Sequence, residues 1–157
     1  MTIEIRDKKK ISNTDILNFE NFYHCRVPKN FIRFLYKYNG GKLDSNVYKI
    51  NENYDISINK FLTLSEMEEI IPHIENIGEC VFPFALVEGG NYLLINFENG
   101  SISYWDHEEP YKKYFLSDNI QGFLLKLESF DVNSVDLPED QIKSVWVDPE
   151  FLKSLKK

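Results

Sequence analysis

Few residues in this chain have types and spacing that could do chemistry. The densest titratable cluster is Asp106-His107-Glu108-Glu109, and a carboxylate beside an imidazole can serve in proton transfer. Alternation along a strand sends Asp106 to the face of Leu93 and Tyr104, and His107 to the face of Trp105. The pair therefore does not converge on one substrate, and Asp106 is read instead as an acceptor for nearby donors where the strand ends. His24 and His73 lie far from this cluster in sequence, and none of the three histidines falls into an HExxH or other ligand spacing, so neither a metal nor a cofactor is expected. No GxSxG elbow, GxxxxGK[ST] loop or GxGxxG loop is present, which leaves serine hydrolysis and nucleotide binding without local support. Cys25 and Cys80 fit neither a CxxC pattern nor a zinc spacing. They read as buried or inert free thiols, for which a reducing cytoplasm is the simplest home.

Charge separates the chain into two regions. Residues 1–43 carry nine Lys/Arg against four Asp/Glu, a balance of +5; residues 44–157 carry nine against twenty-one, a balance of −12, and the two sum to the net −7. An acidic body argues against nucleic acid as principal ligand, because phosphate binding is driven by Lys and Arg releasing counterions. A basic protein partner suits it better. The opening MTIEIRDKKK lacks the apolar run of a signal peptide, and no stretch approaches the roughly 18 apolar residues of a membrane span. The expectation is a soluble, cytoplasmic protein with no membrane contact. A length of 157 residues is read as one domain over 1–157, long enough to fold without disulfide or metal.

The elements that must position any site centre on residues 82–107, FPFALVEGGNYLLINFENGSISYWDH. This stretch reads as three antiparallel strands joined at Gly89-Gly90 and Asn99-Gly100, pairs that tolerate the positive φ of a tight hairpin. The resulting register sets Phe97 opposite Ile102, Ile95 opposite Tyr104 and Leu94 opposite Trp105, with Leu86 opposite Leu93 and Phe84 opposite Ile95. One face then collects Phe82, Phe84, Leu86, Leu93, Ile95, Phe97, Ile102 and Tyr104. At about 1.5 to 3 kcal/mol per fully buried large apolar side chain, that face can anchor a domain.

Around the meander, residues 1–11 read as a short leading strand or arm. Ser12, Asn13 or Thr14 caps a helix running to His24, with Ile16, Phe19, Phe22 and Tyr23 at helical spacing. Pro28 opens a second helix carrying Phe31, Phe34, Leu35 and Tyr38, and Asn39-Gly40-Gly41 closes it. Residues 46–50 and 56–64 read as strands. Ser65 with Glu68 makes a capping-box pattern for a short helix that Pro72 ends near Ile71. Ser117 or Asp118 caps a helix through Ser129, an edge strand is expected over 142–147, and Asp148-Pro149 starts a last short helix. The fold class is α+β: an antiparallel-rich twisted sheet with helices packed on one face.

The run Val27-Pro28, then Phe31, Phe34-Leu35 and Tyr38-Asn39-Gly40-Gly41 resembles the opening of the SUKH superfamily, which includes fungal cell-wall assembly regulators of the killer-toxin-resistance type and many bacterial immunity proteins. Phe84-Ala85, Gly89-Gly90-Asn91, the strand over 92–95 and Tyr104-Trp105-Asp106-His107 are similar in order and spacing to that family's central hairpins. The likeness covers residues 14–129. Val27-Pro28 stands where the family usually shows Leu-Pro, and residues 130–157 match no pattern of the family.

The resemblance implies an immunity protein that binds and neutralises a cognate polymorphic toxin domain by stoichiometric protein–protein interaction, without turnover and so not an enzyme. The acidic body suits a basic toxin such as a nuclease. Candidate contact residues are the carboxylates of predicted loops and hairpin tips: Glu52, Asp55, Glu98, Glu108, Glu109, Asp136, Glu139 and Asp140. Tyr48, Tyr54, Tyr92, Tyr111 and Trp146 are the rings least firmly assigned to the core, and exposed rings beside carboxylates are what a protein-binding surface needs. The alternatives are an intracellular adaptor of the same superfamily and, from a different class, an enzyme using Asp106 and His107. Oligomeric state stays open.

Overall fold

The structure, a computed structural model, describes residues 5–129. It starts with the short strand β1 (Ile5–Arg6) and then α1 (Asn13–Tyr23). Ser12 caps α1 in a reciprocal box: its hydroxyl accepts the Asp15 N–H at 3.2 Å, and the Asp15 carboxylate accepts the Ser12 N–H at 3.0 Å. Ile16 and Phe19 are buried, whereas Phe22, expected on the same apolar face, is 73% exposed. Helix α2 (Lys29–Tyr38) follows Pro28 and buries Phe31, Phe34, Leu35 and Tyr38, the four residues its spacing singled out.

A long hairpin comes next, β2 (Lys42–Asn51) and β3 (Tyr54–Phe61). Helix α3 (Leu64–Ile70) runs into a single 3-10 turn over Ile71–His73, where Pro72 stops it. Its capping box is Thr63 with Glu66, not Ser65 with Glu68: the Thr63 hydroxyl accepts the Glu66 N–H, and Glu66 accepts the Thr63 N–H, both at 3.1 Å. Both pairs fit the sequence pattern, but Leu64 and Met67 must be buried and the earlier start places them inward. The meander is β4 (Val81–Val87), β5 (Asn91–Asn96) and β6 (Ile102–Trp105), followed by β7 (Lys113–Ser117). Asn119 caps α4 (Ile120–Lys126), which is shorter than the expected 118–129. Residues at its far end instead form β8 (Glu128–Ser129), paired with β2.

The sheet is antiparallel in the order β1-β2-β3-β4-β5-β6-β7, with β8 also on β2. The meander register differs from the expected one at both turns. Ile95 pairs with Ile102 and Leu93 with Tyr104, because the chain turns through residues 97–100 and not at Asn99-Gly100 alone. Gly100 N–H bonds the Asn96 carbonyl at 2.7 Å, and the Asn96 side chain accepts the Glu98 N–H at 2.8 Å. The wider turn drops Phe97 out of the ladder and into the core, against Phe82 at 4.5 Å. On the other side Ala85 pairs with Leu93 and Leu86 with Tyr92, with an irregularity between Pro83 and Ala85. Proline has no N–H for the ladder, and a bulge accommodates it. Phe84 and Ala85 thus both reach the core, while Leu86 is only partly buried and packs at its margin.

Helices α1, α2 and α4 cover one face of the sheet. Phe19 meets Phe82 at 4.9 Å, Phe34 meets Phe61 at 4.8 Å, and Phe123 stacks on Tyr48 at 4.9 Å. The sheet curls around them. In a flat sheet β2 and β7 would stand about 24 Å apart, yet the Tyr48 hydroxyl donates to the Leu116 carbonyl at 3.0 Å. A smaller cluster of Ile74, Leu94 and Trp105 covers the opposite face.

Cys25 and Cys80, expected as free thiols, are joined in a disulfide with their Cα atoms 5.7 Å apart. The bridge ties the α1–α2 connection to the entry of β4 across 55 residues. A separation that long leaves no spacing pattern to recognise; the packing of α1 against β4 brings the two together. The cysteine argument for a reducing compartment therefore falls. Among the described residues, no helix is long and apolar enough to cross a membrane.

Candidate partner-binding site

An antiparallel meander puts alternate turns at opposite ends of its sheet, and this sorts the candidate carboxylates. The β2–β3 turn, the β4–β5 turn and the β6–β7 loop share one end. Glu52, Asp55, Glu108 and Glu109 lie there, all exposed, as does Glu88. Glu98 sits in the β5–β6 turn at the opposite end. Asp136, Glu139, Asp140 and Trp146, with the strand expected over 142–147 and the helix after it, lie outside the described residues.

At the first end the curled sheet opens into a cavity of about 410 Å³ lined by Ile50, Asn51, Tyr54, Tyr104, Asp106, Glu108, Glu109 and Tyr114. Three phenol rings form its walls. Tyr54 and Tyr104 come from strands that are not neighbours, yet the curl brings their hydroxyls to 3.4 Å and their ring centroids to 6.5 Å. Tyr104 and Tyr114, on paired strands, stand 6.2 Å apart between centroids. Tyr54 is 46% exposed and Tyr114 38%, whereas Tyr104 is buried at the base. Of the other rings left unassigned, Tyr48 is core, Tyr92 is partly buried and Tyr111 is exposed.

The base is fixed by Asn91, a buried residue at the start of β5. Its Nδ2 donates to the Tyr104 hydroxyl at 2.8 Å, and its Oδ1 accepts the His107 backbone N–H at 3.0 Å. The His107 ring Nδ1 lies 2.7 Å from the same Oδ1. An amide oxygen only accepts, so Nδ1 carries the proton. His107 is thereby turned toward Asn91, and its Nδ1 is 3.9 Å from the Asp106 carboxylate, beyond hydrogen-bond reach. Asp106 accepts the Glu108 N–H through Oδ1 at 2.8 Å, and its carbonyl accepts the Glu109 N–H at 3.0 Å. This is the turn-forming role that its place at the strand end suggested.

Electrostatics favour the neutral phenols of Tyr104 and Tyr114 and the ionised carboxylate of Glu109. Burial, followed by the contact with Tyr54, pushes the Tyr104 phenol well above its ordinary pKa. The Tyr114 hydroxyl donates to Glu109 Oε2 at 2.5 Å; this bond raises the Tyr114 pKa and holds the Glu109 carboxyl below the usual carboxylate range, with Lys112 adding to the latter. Among the described residues, no group of three or more His, Cys, Asp or Glu side chains is placed to hold a metal ion. What the arrangement offers is a concave aromatic surface rimmed by negative charge. Tyr114 was not singled out from sequence, and Asn91 only as part of the Gly89-Gly90-Asn91 motif, since their roles depend on partners across strands.

The sequence model of the SMI1/KNR4 family (SUKH-1) matches residues 10–126, from just before α1 to the end of α4. The chain is also similar to the SPbeta prophage-derived uncharacterized protein YokK of Bacillus subtilis (strain 168), at 24% identity over 169 aligned positions that cover 91% of this chain and 88% of YokK.

Proposed function

The chain belongs to the SMI1/KNR4 family (SUKH-1), and on that premise we propose that it is an immunity protein, which binds a cognate toxin domain stoichiometrically and blocks it without turnover. The observation that carries this reading is the end of the sheet where Glu108 and Glu109 line the tyrosine-walled cavity and Glu52 and Asp55 lie exposed at the neighbouring β2–β3 turn. Rings of this kind anchor protein interfaces, and an excess of negative charge near them speeds encounter with an oppositely charged partner. The partner is therefore a basic domain, for which a nuclease is the natural candidate. Its substrate groove is positive, and carboxylates at this end would fill that groove in place of phosphates. On this reading Glu98, at the far end of the meander, lies outside the contact surface.

Co-expression tests this directly. The toxic C-terminal domain of a large secreted protein encoded beside this chain should arrest growth alone and be rescued by the chain. The two should co-purify as a complex that weakens as salt rises. A toxic domain that is neither bound nor rescued would overturn immunity and leave an adaptor role in its place.

A further inference from the structure

The cavity between Tyr54, Tyr104 and Tyr114 is lined by Asp106, Glu108 and Glu109, and among the described residues no Lys, Arg or His side chain lines it. We propose that this cavity is a receptor for one arginine side chain of the bound partner. The proposal rests on the binding reading above for the owner of that arginine; the chemistry of the pocket stands apart from it.

Size sets the first limit. About 410 Å³ lies near the lower end of sites for small molecules, roughly 300 to 1,000 Å³. It accepts an extended side chain but not an α-helix, which is about 10 Å across. Charge sets the second. Asp106 spends one oxygen on the Glu108 N–H, and Glu109 is engaged by Tyr114 and, at 3.4 Å, by Lys112. Among the described residues the Glu108 carboxylate has no hydrogen-bond or ion-pair partner, so negative charge at the rim is left unmatched. An anion would be repelled, and an apolar group would strip water from carboxylates without replacing it.

The walls choose between the two basic side chains. A guanidinium is flat, stacks on an aromatic face, and offers five donors that can reach more than one carboxylate, whereas an ammonium is a compact, strongly hydrated point charge. Tyrosine rings at the base and sides of the cavity, with carboxylate acceptors beside them, match the first. The walls are also set in advance, Tyr104 by Asn91 and Tyr114 by Glu109, so little ordering remains for binding to impose.

The test needs no toxin. Nα-acetyl-arginine methylamide is titrated into the full chain and followed by backbone amide NMR, beside its lysine and citrulline counterparts. Arginine should shift the amides of Asn51, Tyr54 and residues 106–109. Citrulline, with the same shape and no charge, should bind roughly tenfold more weakly or worse. Tyr54→Ala and Glu108→Gln, both at exposed positions, should each weaken arginine binding several-fold without altering the remaining spectrum. Equal binding of citrulline, tighter binding of lysine, shifts confined to other residues, or no shift at all would overturn the proposal. Growth rescue without arginine binding removes the pocket alone, and arginine binding without rescue keeps the pocket and removes the toxin.

Discussion

Asn91 donates to the Tyr104 hydroxyl at 2.8 Å, linking the first residue of β5 to β6 beneath the cavity. The same amide holds the backbone and ring of His107. One buried side chain thus fixes both the base of the pocket and the course of the loop that carries Glu108 and Glu109.

Asn91→Ala should accordingly cost about 2 to 3 kcal/mol, since it removes three contacts and leaves the Tyr104 hydroxyl only the longer contact with Tyr54. Tyr104→Phe, which leaves the Asn91 Nδ2 donor unpaired while the exposed Tyr54 can turn its hydroxyl to solvent, should cost about 1 to 2 kcal/mol. Urea unfolding of both variants checks the order. A loss at Tyr104→Phe larger than at Asn91→Ala would mean that the amide is not the organiser.

The Cys25–Cys80 bridge closes a loop of 55 residues, which on chain entropy corresponds to about 4 kcal/mol as an upper value. The Cys25→Ala/Cys80→Ala double variant should lose a large part of this in urea, and the reductant dithiothreitol should destabilise the natural chain but not the variant. Alkylation under denaturing conditions without reductant should leave both sulfurs unmodified in mass spectrometry. Two alkylated thiols would contradict the bridge.

Glu66 predicts a pH dependence. Burial raises its carboxyl pKa, but the bond from Lys60 at 2.6 Å and that from the Thr63 N–H together outweigh burial and leave it lowered. A carboxyl lowered on folding contributes stability that is present above its unfolded value and lost as pH falls through the folded one. Glu66→Gln should therefore destabilise the protein at neutral pH, by less than about 1 kcal/mol for a pair only partly shielded from solvent. The difference should vanish below the folded pKa. A variant whose deficit persists unchanged at about pH 2.5, well under the ordinary carboxylate range, would show that shape and not charge is responsible.

The sequence made much of this fold legible, and the reasons differ by element. Helix α2 was readable because its apolar spacing, Pro28 and Asn39-Gly40-Gly41 all point the same way. The core face of the meander survived an incorrect register because strand alternation, not the identity of the opposing residue, decides which side is buried. Leu86 was lost to a bulge whose local sign was Pro83. The disulfide and the tyrosine cage were not readable, since both depend on long-range approach: Cys25 to Cys80 through helix packing, and Tyr54 to Tyr104 through sheet curl. Of the carboxylates, Glu108 and Glu109 could be placed in a loop but not around a cavity, and only the topology separates them from Glu98.

The cavity end of the sheet is the face proposed to hold the partner. Calorimetric titration of the purified toxin domain against Glu52→Lys/Glu108→Lys and against Glu98→Lys addresses it. Affinity should fall at least roughly tenfold for the first and change within about twofold for the second, with the natural affinity falling as salt is raised. An equal or larger loss at Glu98→Lys, or undiminished binding by the double variant, would contradict it.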